Sequence, residues 1–191
     1  MERNLDIDPD RLRLRRLSTA ELTSSETTAI RSLMRVAFGT DEEERFSDDD
    51  WQHALGGVHF VLELDRDIVA HASVVEREIH VGDQAFRTGY VEAVATDPAR
   101  QGVGLGSIVM TDATEYINER FDLGGLGTGR QSFYGRLGWK IWAGPSSVRA
   151  ADGDQPTPDD DGSIMVLETP TTPSLDLAAP ISCDWRPGDV W

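Results

Sequence analysis

The 191-residue sequence predicts a mixed α/β protein of the α+β kind, a mostly antiparallel sheet flanked by helices in the order β-α-α-β-β-β-α-β-α-β-β. Two observations predict it. Three apolar, β-prone segments succeed one another between Val58 and Thr96 with only short turns between them, which is the pattern of an antiparallel meander. A glycine-rich turn and an amphipathic helix then follow directly, from Gln101 onward. The length suits one domain covering residues 1–191, with a polar loop at 150–162 and a packed tail at 170–191.

Taken in order, Arg11 to Leu17 alternates basic and apolar residues and predicts a first strand. Thr23-Ser24-Ser25-Glu26 is a capping box, and Ile30, Leu33, Met34 and Ala37 behind it have helical spacing. The acidic stretch Asp41 to Asp50 breaks that pattern. Trp51 and Leu55 predict a short second helix ending at Gly56-Gly57. Val58 to Leu64 and Ile68 to Val81 are strands joined by the turn Asp65-Arg66-Asp67. Gly82-Asp83 is a hairpin signal leading into Phe86 to Thr96. Asp97-Pro98 ends that strand. Leu105, Ile108, Val109, Ala113, Tyr116 and Ile117 mark one helix face. Phe121 to Leu126 predicts a short strand, and Arg130 to Leu137 a helix closed by Gly138. Strands are expected again at Trp139 to Ala143 and Ser163 to Leu167. Between them Ala150 to Gly162 is aspartate-rich and reads as an exposed loop. Trp185 and Trp191 imply that part of the tail is packed down.

Composition bounds the function. Lys+Arg number 18 against 34 Asp+Glu, a net charge of −16, and Lys140 is the single lysine. A field of that sign repels phosphate backbones and excludes nucleic acid as the expected partner. Two sources of the charge compete: an acidic cleft that draws a cationic substrate, and a proteome-wide habit of acidic, lysine-poor surfaces in a salt-loving host. The second accounts for the bulk of the charge, because salt screens such surfaces within a few ångströms. No stretch of about 18 uncharged apolar residues exists, so no membrane helix is expected. The charged first twenty residues do not resemble a signal peptide, and the lone Cys183 fits a reducing cytoplasm. Four dispersed histidines and one cysteine give no expectation of a metal site. His71 is expected to be a half-buried, hydrogen-bonded strand residue, and Cys183 a packing residue.

The segment Gln101-Gly102-Val103-Gly104-Leu105-Gly106 lies between a strand and a helix, where small residues let backbone approach a ligand and free amides attract phosphate. It is neither a Rossmann nor a Walker loop. With its Gln-x-x-Gly-x-Gly spacing after a three-strand meander, the chain resembles the Gcn5-related N-acetyltransferase (GNAT) superfamily. The resemblance implies the GNAT fold, acetyl-coenzyme A as co-substrate, and no metal. It implies cofactor contacts at Gln101, Gly102, Val103, Gly104 and Gly106, with the backbone of Val94 and Thr96 along the pantetheine arm. Tyr134, within Phe133-Tyr134-Gly135-Arg136-Leu137-Gly138-Trp139, matches the superfamily tyrosine that protonates the departing thiolate.

A narrower resemblance covers most of the chain. Ala54-Leu55-Gly56-Gly57-Val58-His59, Gly89-Tyr90-Val91-Glu92-Ala93-Val94, Pro158-Asp159-Asp160-Asp161-Gly162 and Cys183-Asp184-Trp185-Arg186-Pro187-Gly188-Asp189-Val190-Trp191 are similar to the aminoglycoside 2′-N-acetyltransferases. That family implies a cytoplasmic antibiotic-resistance enzyme and a homodimer. It implies Glu92 as the base that frees the acceptor amine, and Asp50, Asp160, Asp189 and the Trp191 carboxylate as partners of substrate ammonium groups. Two segments depart from the family. Arg45 stands where the first acidic residue of the Phe46 to Trp51 motif is expected, leaving Asp41 or Glu44 to substitute for it, and Leu126-Gly127-Thr128-Gly129 is shorter than its counterpart.

The expected activity is therefore direct transfer of an acetyl group from acetyl-coenzyme A to an amine of a cationic aminosugar, most specifically an aminoglycoside 2′-amino group. Three alternatives remain: the same chemistry on a metabolite, polyamine or peptide amino terminus; a non-catalytic coenzyme A-binding module, which Glu92 and Tyr134 argue against; and an acidic interaction protein, which the glycine-rich loop argues against.

Overall fold

A computed structural model of the chain describes residues 8–39 and 46–191. In chain order its elements are β1 (Leu12–Ser18), α1 (Ser24–Phe38), α2 (Asp48–His53), β2 (Val58–Leu64), β3 (Asp67–Val81), β4 (Gln84–Thr96), α3 (Leu105–Arg120), β5 (Leu123–Gly127), α4 (Gln131–Gly135), β6 (Lys140–Ile141), β7 (Ser146–Ala150), β8 (Gly153–Pro156), β9 (Ile164–Glu168) and β10 (Ile181–Asp184). They form two compact units. One takes in the described residues up to Val75 with Val91–Ala113; the other takes in Glu76–Tyr90 and Thr114–Trp191.

In the first unit β1 runs antiparallel to β2, from Leu12↔Leu64 to Ser18↔Val58, and β2 antiparallel to the first half of β3. The expected capping box starts α1. Thr23 Oγ1 accepts the Glu26 N–H at 3.2 Å and the Glu26 carboxylate accepts the Thr23 N–H at 2.8 Å. Glu26 also pairs with the Arg15 guanidinium on β1, which is the main reason its carboxyl is held down at about 2. The apolar stripe of α1 then buries Ile30, Leu33 and Met34 against Trp51, Ala54, Val61 and Ala95. Each such side chain contributes on the order of 1.5–3 kcal/mol when fully removed from water. Helix α2 begins three residues before Trp51 and ends at His53. The cause is a second capping box: Ser47 Oγ accepts the Asp50 N–H at 3.1 Å and Asp50 accepts the Ser47 N–H at 2.7 Å.

In the second unit the Thr88–Tyr90 segment of β4 runs parallel to β5, β5 antiparallel to β9, and β9 antiparallel to β6. The end of β3 pairs antiparallel with β10, which lies parallel to β7. The β4–β5 contact is closer than any side chain would allow: a Cβ on Gly125 would stand 2.8 Å from the Tyr90 ring.

Three strands, β7, β8 and β10, exceed the expected order. The region expected as an exposed loop at 150–162 holds the end of β7, all of β8 and a 3-10 turn at Pro158–Asp160. β7 and β8 form a hairpin about Ala151-Asp152, with Gly153 at a φ of +119°. Every residue of β8 is exposed, so it lacks the alternation that marks a strand. In the tail Ile181 and Cys183 are buried on β10 while Trp185 stays 59% exposed. Trp185 is therefore not a pin of the tail, contrary to expectation, because it falls beyond the end of β10, where no strand holds it against the core. Trp191, only 5% exposed, is.

Candidate active site

The first unit carries the expected cofactor residues. β4 is buried at four successive residues from Thr88 to Val91 and then half-buried in succession at Glu92, Ala93 and Val94. Ala93 sits there at a φ of +50°. A left-handed alanine costs roughly 1–2 kcal/mol, so the surroundings must enforce it. Two side chains of β3 do so: Ser73 Oγ donates to the Glu92 carbonyl at 3.2 Å, and His71 Nδ1 donates to the Ala93 carbonyl at 2.8 Å. Strand carbonyls that would serve a ladder are thus held by side chains, and the strand changes course where Glu92 and Val94 are placed.

Beyond Thr96 a 3-10 turn at Pro98–Arg100 is capped by Asp97, whose carboxylate accepts the Ala99 N–H at 3.0 Å. Gln101 Nε2 donates back to the Thr96 carbonyl at 3.3 Å, which ties the loop to the strand end. Gly102 and Gly104 take φ values of +81° and +90°, and a Cβ on either would meet nothing within 4 Å. The space over both glycines is open, and the leading amides of the first turn of α3 lack intrahelical acceptors, which is the chemistry that attracts an anion. The first bond of the helix runs from the Ile108 N–H to the Gly104 carbonyl at 3.1 Å. Gln101, Gly102, Val103 and Gly104 share one loop, Gly106 lies in the first turn of α3, and Thr96 and Val94 lie on the strand feeding the loop.

The second unit carries Tyr134, Asp160, Asp189 and Trp191. Tyr134 on α4 is 7% exposed and packs edge-on against Phe133 and Trp139. Burial pushes its phenol up to about 12, against the opposing pull of Arg130. The hydroxyl is therefore a proton donor throughout the physiological range. Trp191 donates its indole N–H to Thr157 Oγ1 at 2.9 Å, and a Cβ on Gly127 would lie 3.2 Å from the Trp191 backbone carbonyl carbon, so Gly127 leaves room for the Trp191 backbone. Asp160 and Asp189 interact across this region: burial, and then the charge of Asp189, raise the Asp160 carboxyl above its ordinary value. Asp161 is absorbed structurally, accepting from Ser146 N–H and Oγ at 2.9 and 2.8 Å.

Asp50, expected to meet substrate, belongs to the capping box of α2, with a carboxylate oxygen on the Ser47 N–H. Asp41, Glu44 and Arg45 lie outside the described residues. Residues that sequence reasoning missed hold the tail. Arg77 Nη2 donates to the Val190 and Asp184 carbonyls at 2.8 and 3.2 Å, with its guanidinium 4.6 Å from the Tyr90 ring centre. Arg186 donates to the Asp189 carbonyl at 2.7 Å and reaches the Trp191 carbonyl oxygen at 3.5 Å. Neither has a sequence signal of its own. Cys183 packs as expected, wholly buried, with burial raising its thiol.

An acetyltransferase (GNAT) domain model matches residues 18–142. The chain belongs to the GNAT acetyltransferases. An aminoglycoside 2′-N-acetyltransferase of Mycolicibacterium fortuitum is 40% identical over 182 residues, covering 93% of this chain and 91% of that protein. Two solved structures share the fold. A GNAT family N-acetyltransferase of Escherichia coli in complex with CoA gives a TM-score of 0.61 at 14% identity, covering 91% of this chain and 89% of that one. A GNAT family acetyltransferase of Brucella melitensis in complex with acetyl-CoA gives 0.54 at 18% identity, covering 69% and 84%. This GNAT protein is an acetyl-coenzyme A-dependent N-acetyltransferase.

Proposed function

We propose that the acceptor is a cationic aminosugar, and specifically the 2′-amino group of an aminoglycoside, with the chain from 1 to 191 working as one catalytic domain. The observation that carries this reading is the 40% identity to an aminoglycoside 2′-N-acetyltransferase over 93% of the chain. The coupling of Asp160 with Asp189 supports it: burial and then the Asp189 charge raise the Asp160 carboxyl, and a bound ammonium would offset both.

In this reading the glycine-rich loop from Gln101 to Gly106 binds the pyrophosphate, and backbone groups of Val94 and Thr96 hold the pantetheine arm. Acetyl-coenzyme A supplies an activated thioester. Glu92 accepts a proton from the acceptor ammonium, directly or through water, since only the neutral amine attacks. Tyr134, kept protonated by burial, delivers a hydrogen bond and proton to the sulfur as it departs. Asp160 and Asp189 bind the acceptor's other ammonium groups by charge-assisted hydrogen bonds. Asp50 is retained as an acceptor contact through the carboxylate oxygen that its capping bond leaves over. We extend the proposal to a cytoplasmic homodimer with a resistance role, in a host whose salt explains the acidic surface.

The test is thiol release from acetyl-coenzyme A across a panel of aminoglycosides, polyamines and peptides, at low and molar salt, with the acetylated position read by NMR. Turnover confined to aminoglycosides bearing a 2′-amine supports the assignment. Turnover of polyamines or peptides alone rejects it.

A further inference from the structure

The motif Ala54-Leu55-Gly56-Gly57-Val58-His59 takes no part in the proposed chemistry, and two buried histidines remain without a role. His59 on β2 and His71 on β3 are both fully buried. Their rings stand 5.3 Å apart, with His59 Nδ1 3.0 Å from His71 Nε2. His59 Nε2 lies 2.9 Å from Thr19 Oγ1, which in turn accepts the Gly56 N–H at 2.9 Å. At the other end His71 Nδ1 meets the Ala93 carbonyl at 2.8 Å.

One proton assignment satisfies every link. A carbonyl accepts only, so His71 carries its proton on Nδ1 and leaves Nε2 bare. His59 must then donate from Nδ1 to that bare nitrogen, leaving its own Nε2 to accept from the Thr19 hydroxyl. The Gly56 amide fills the lone pair of Thr19. Burial keeps both rings neutral, His59 at about 4 and His71 at about 3, so the assignment persists at working pH. Gly56 takes a φ of +90°, which turns the chain toward β2 once its amide has met Thr19. A Cβ on Gly57 would strike the Val74 carbonyl at 2.0 Å. Gly56 thus supplies the terminal donor of the chain Gly56–Thr19–His59–His71–Ala93, while Gly57 permits the close approach to the Val74 backbone on β3. Because the chain ends on a carbonyl, it cannot pass a proton onward, and it is not a relay.

We propose that His71, locked in one tautomer by His59 and Thr19, is a positioning residue that pins the Ala93 carbonyl and so fixes the direction of β4 at Glu92. It acts on the reaction through Glu92 and the adjoining strand, and this rests on the reading of Glu92 as base.

Two measurements test it. The first is the ¹⁵N spectrum of the imidazoles in the intact protein. Both rings are expected as the Nδ1–H tautomer, the less usual form of a neutral histidine; an Nε2–H signal for His71 overturns the proposal. The second compares His71→Asn with His71→Leu. The asparagine amide can present an N–H where Nδ1 stood; leucine cannot. Both lose the imidazole and should melt lower by similar amounts. His71→Leu is expected to lose tenfold or more in kcat with the acetyl-coenzyme A KM within about twofold, and His71→Asn to recover most of that kcat. Equal kcat in the two variants, or wild-type kcat in His71→Leu, overturns it. If His71→Leu does not fold, a tenfold kcat loss in His71→Asn has the same force, and near-wild-type kcat with the expected tautomer upholds the pin. Failure of Glu92 as base is seen separately, as wild-type rate in Glu92→Gln whatever the His71 variants do.

Discussion

Replacing Asp189 by Asn removes one negative charge from the acceptor region and changes almost nothing else. The isosteric amide still offers its oxygen to the Trp191 N–H, a contact now at 3.3 Å. If Asp189 binds a substrate ammonium, the loss is one charge-assisted hydrogen bond, about 1.5–3 kcal/mol. Asp189 is exposed, so the lower figure applies, and the acceptor KM should rise roughly tenfold for a polycationic amine. The acetyl-coenzyme A KM should not move. A second effect follows from Asp160. Its carboxyl is raised first by burial and second by Asp189. A raised carboxyl protonates, and stops attracting ammonium groups, sooner as pH falls. Removing Asp189 lowers it again. The acid-side loss of acceptor binding should therefore begin at a lower pH in the variant, although binding is weaker at neutral pH. Stability should move the other way: relief of the like charge should leave the melting temperature at pH 7 equal or higher. Steady-state kinetics over pH 4 to 8 with one aminoglycoside reads the KM values and the acid limb, and a thermal melt at pH 7 reads the stability. A wild-type acceptor KM refutes the ligand role, and an unshifted acid limb refutes the coupling with Asp160.

Gly104→Asp should raise the acetyl-coenzyme A KM strongly, since it puts a β-carbon at a φ of +90° and a negative charge into the loop; unchanged cofactor kinetics would count against the pyrophosphate site. Glu92→Gln should slow transfer most at moderate pH and recover in part as pH rises and more acceptor amine deprotonates by itself; a wild-type pH–rate profile removes it as base. Tyr134→Phe should lower kcat with the cofactor KM nearly intact, whereas parallel loss of both would mark a packing role. The net charge of −16 should make the melting temperature rise between low and molar salt, and a flat dependence would reject the salt-adapted reading.

What the sequence makes legible here follows from how local each signal is. The capping box at Thr23 and the stripe Ile30, Leu33, Met34 act within one or two turns, and both stand as expected. β2 matches its expected span from Val58 to Leu64, because two turns and an apolar run define it. The hairpin of β7 and β8 escaped although Asp152-Gly153 is a turn signal, because nothing apolar on the exposed β8 flanks it. β10 escaped because a strand of four residues, two of them buried, is set by its neighbours β3 and β7 rather than by its own pattern. The site divides in the same way. Glycines 102 and 104 announce themselves, since a loop needing positive φ requires that residue type. The kink at Ala93 does not: nothing in Glu92-Ala93-Val94 predicts an alanine at +50°, because the cause lies some twenty residues away in Ser73 and His71. Histidine in a strand reads equally well as half-exposed or buried, and the burial of His71 became visible only with His59, Thr19 and Gly56 assembled around it. Gly56 and His59, which look unrelated in one dimension, belong to a single hydrogen-bonded chain in three. That is why a substitution at Gly56, far from the chemistry in sequence, is expected to be felt at Glu92.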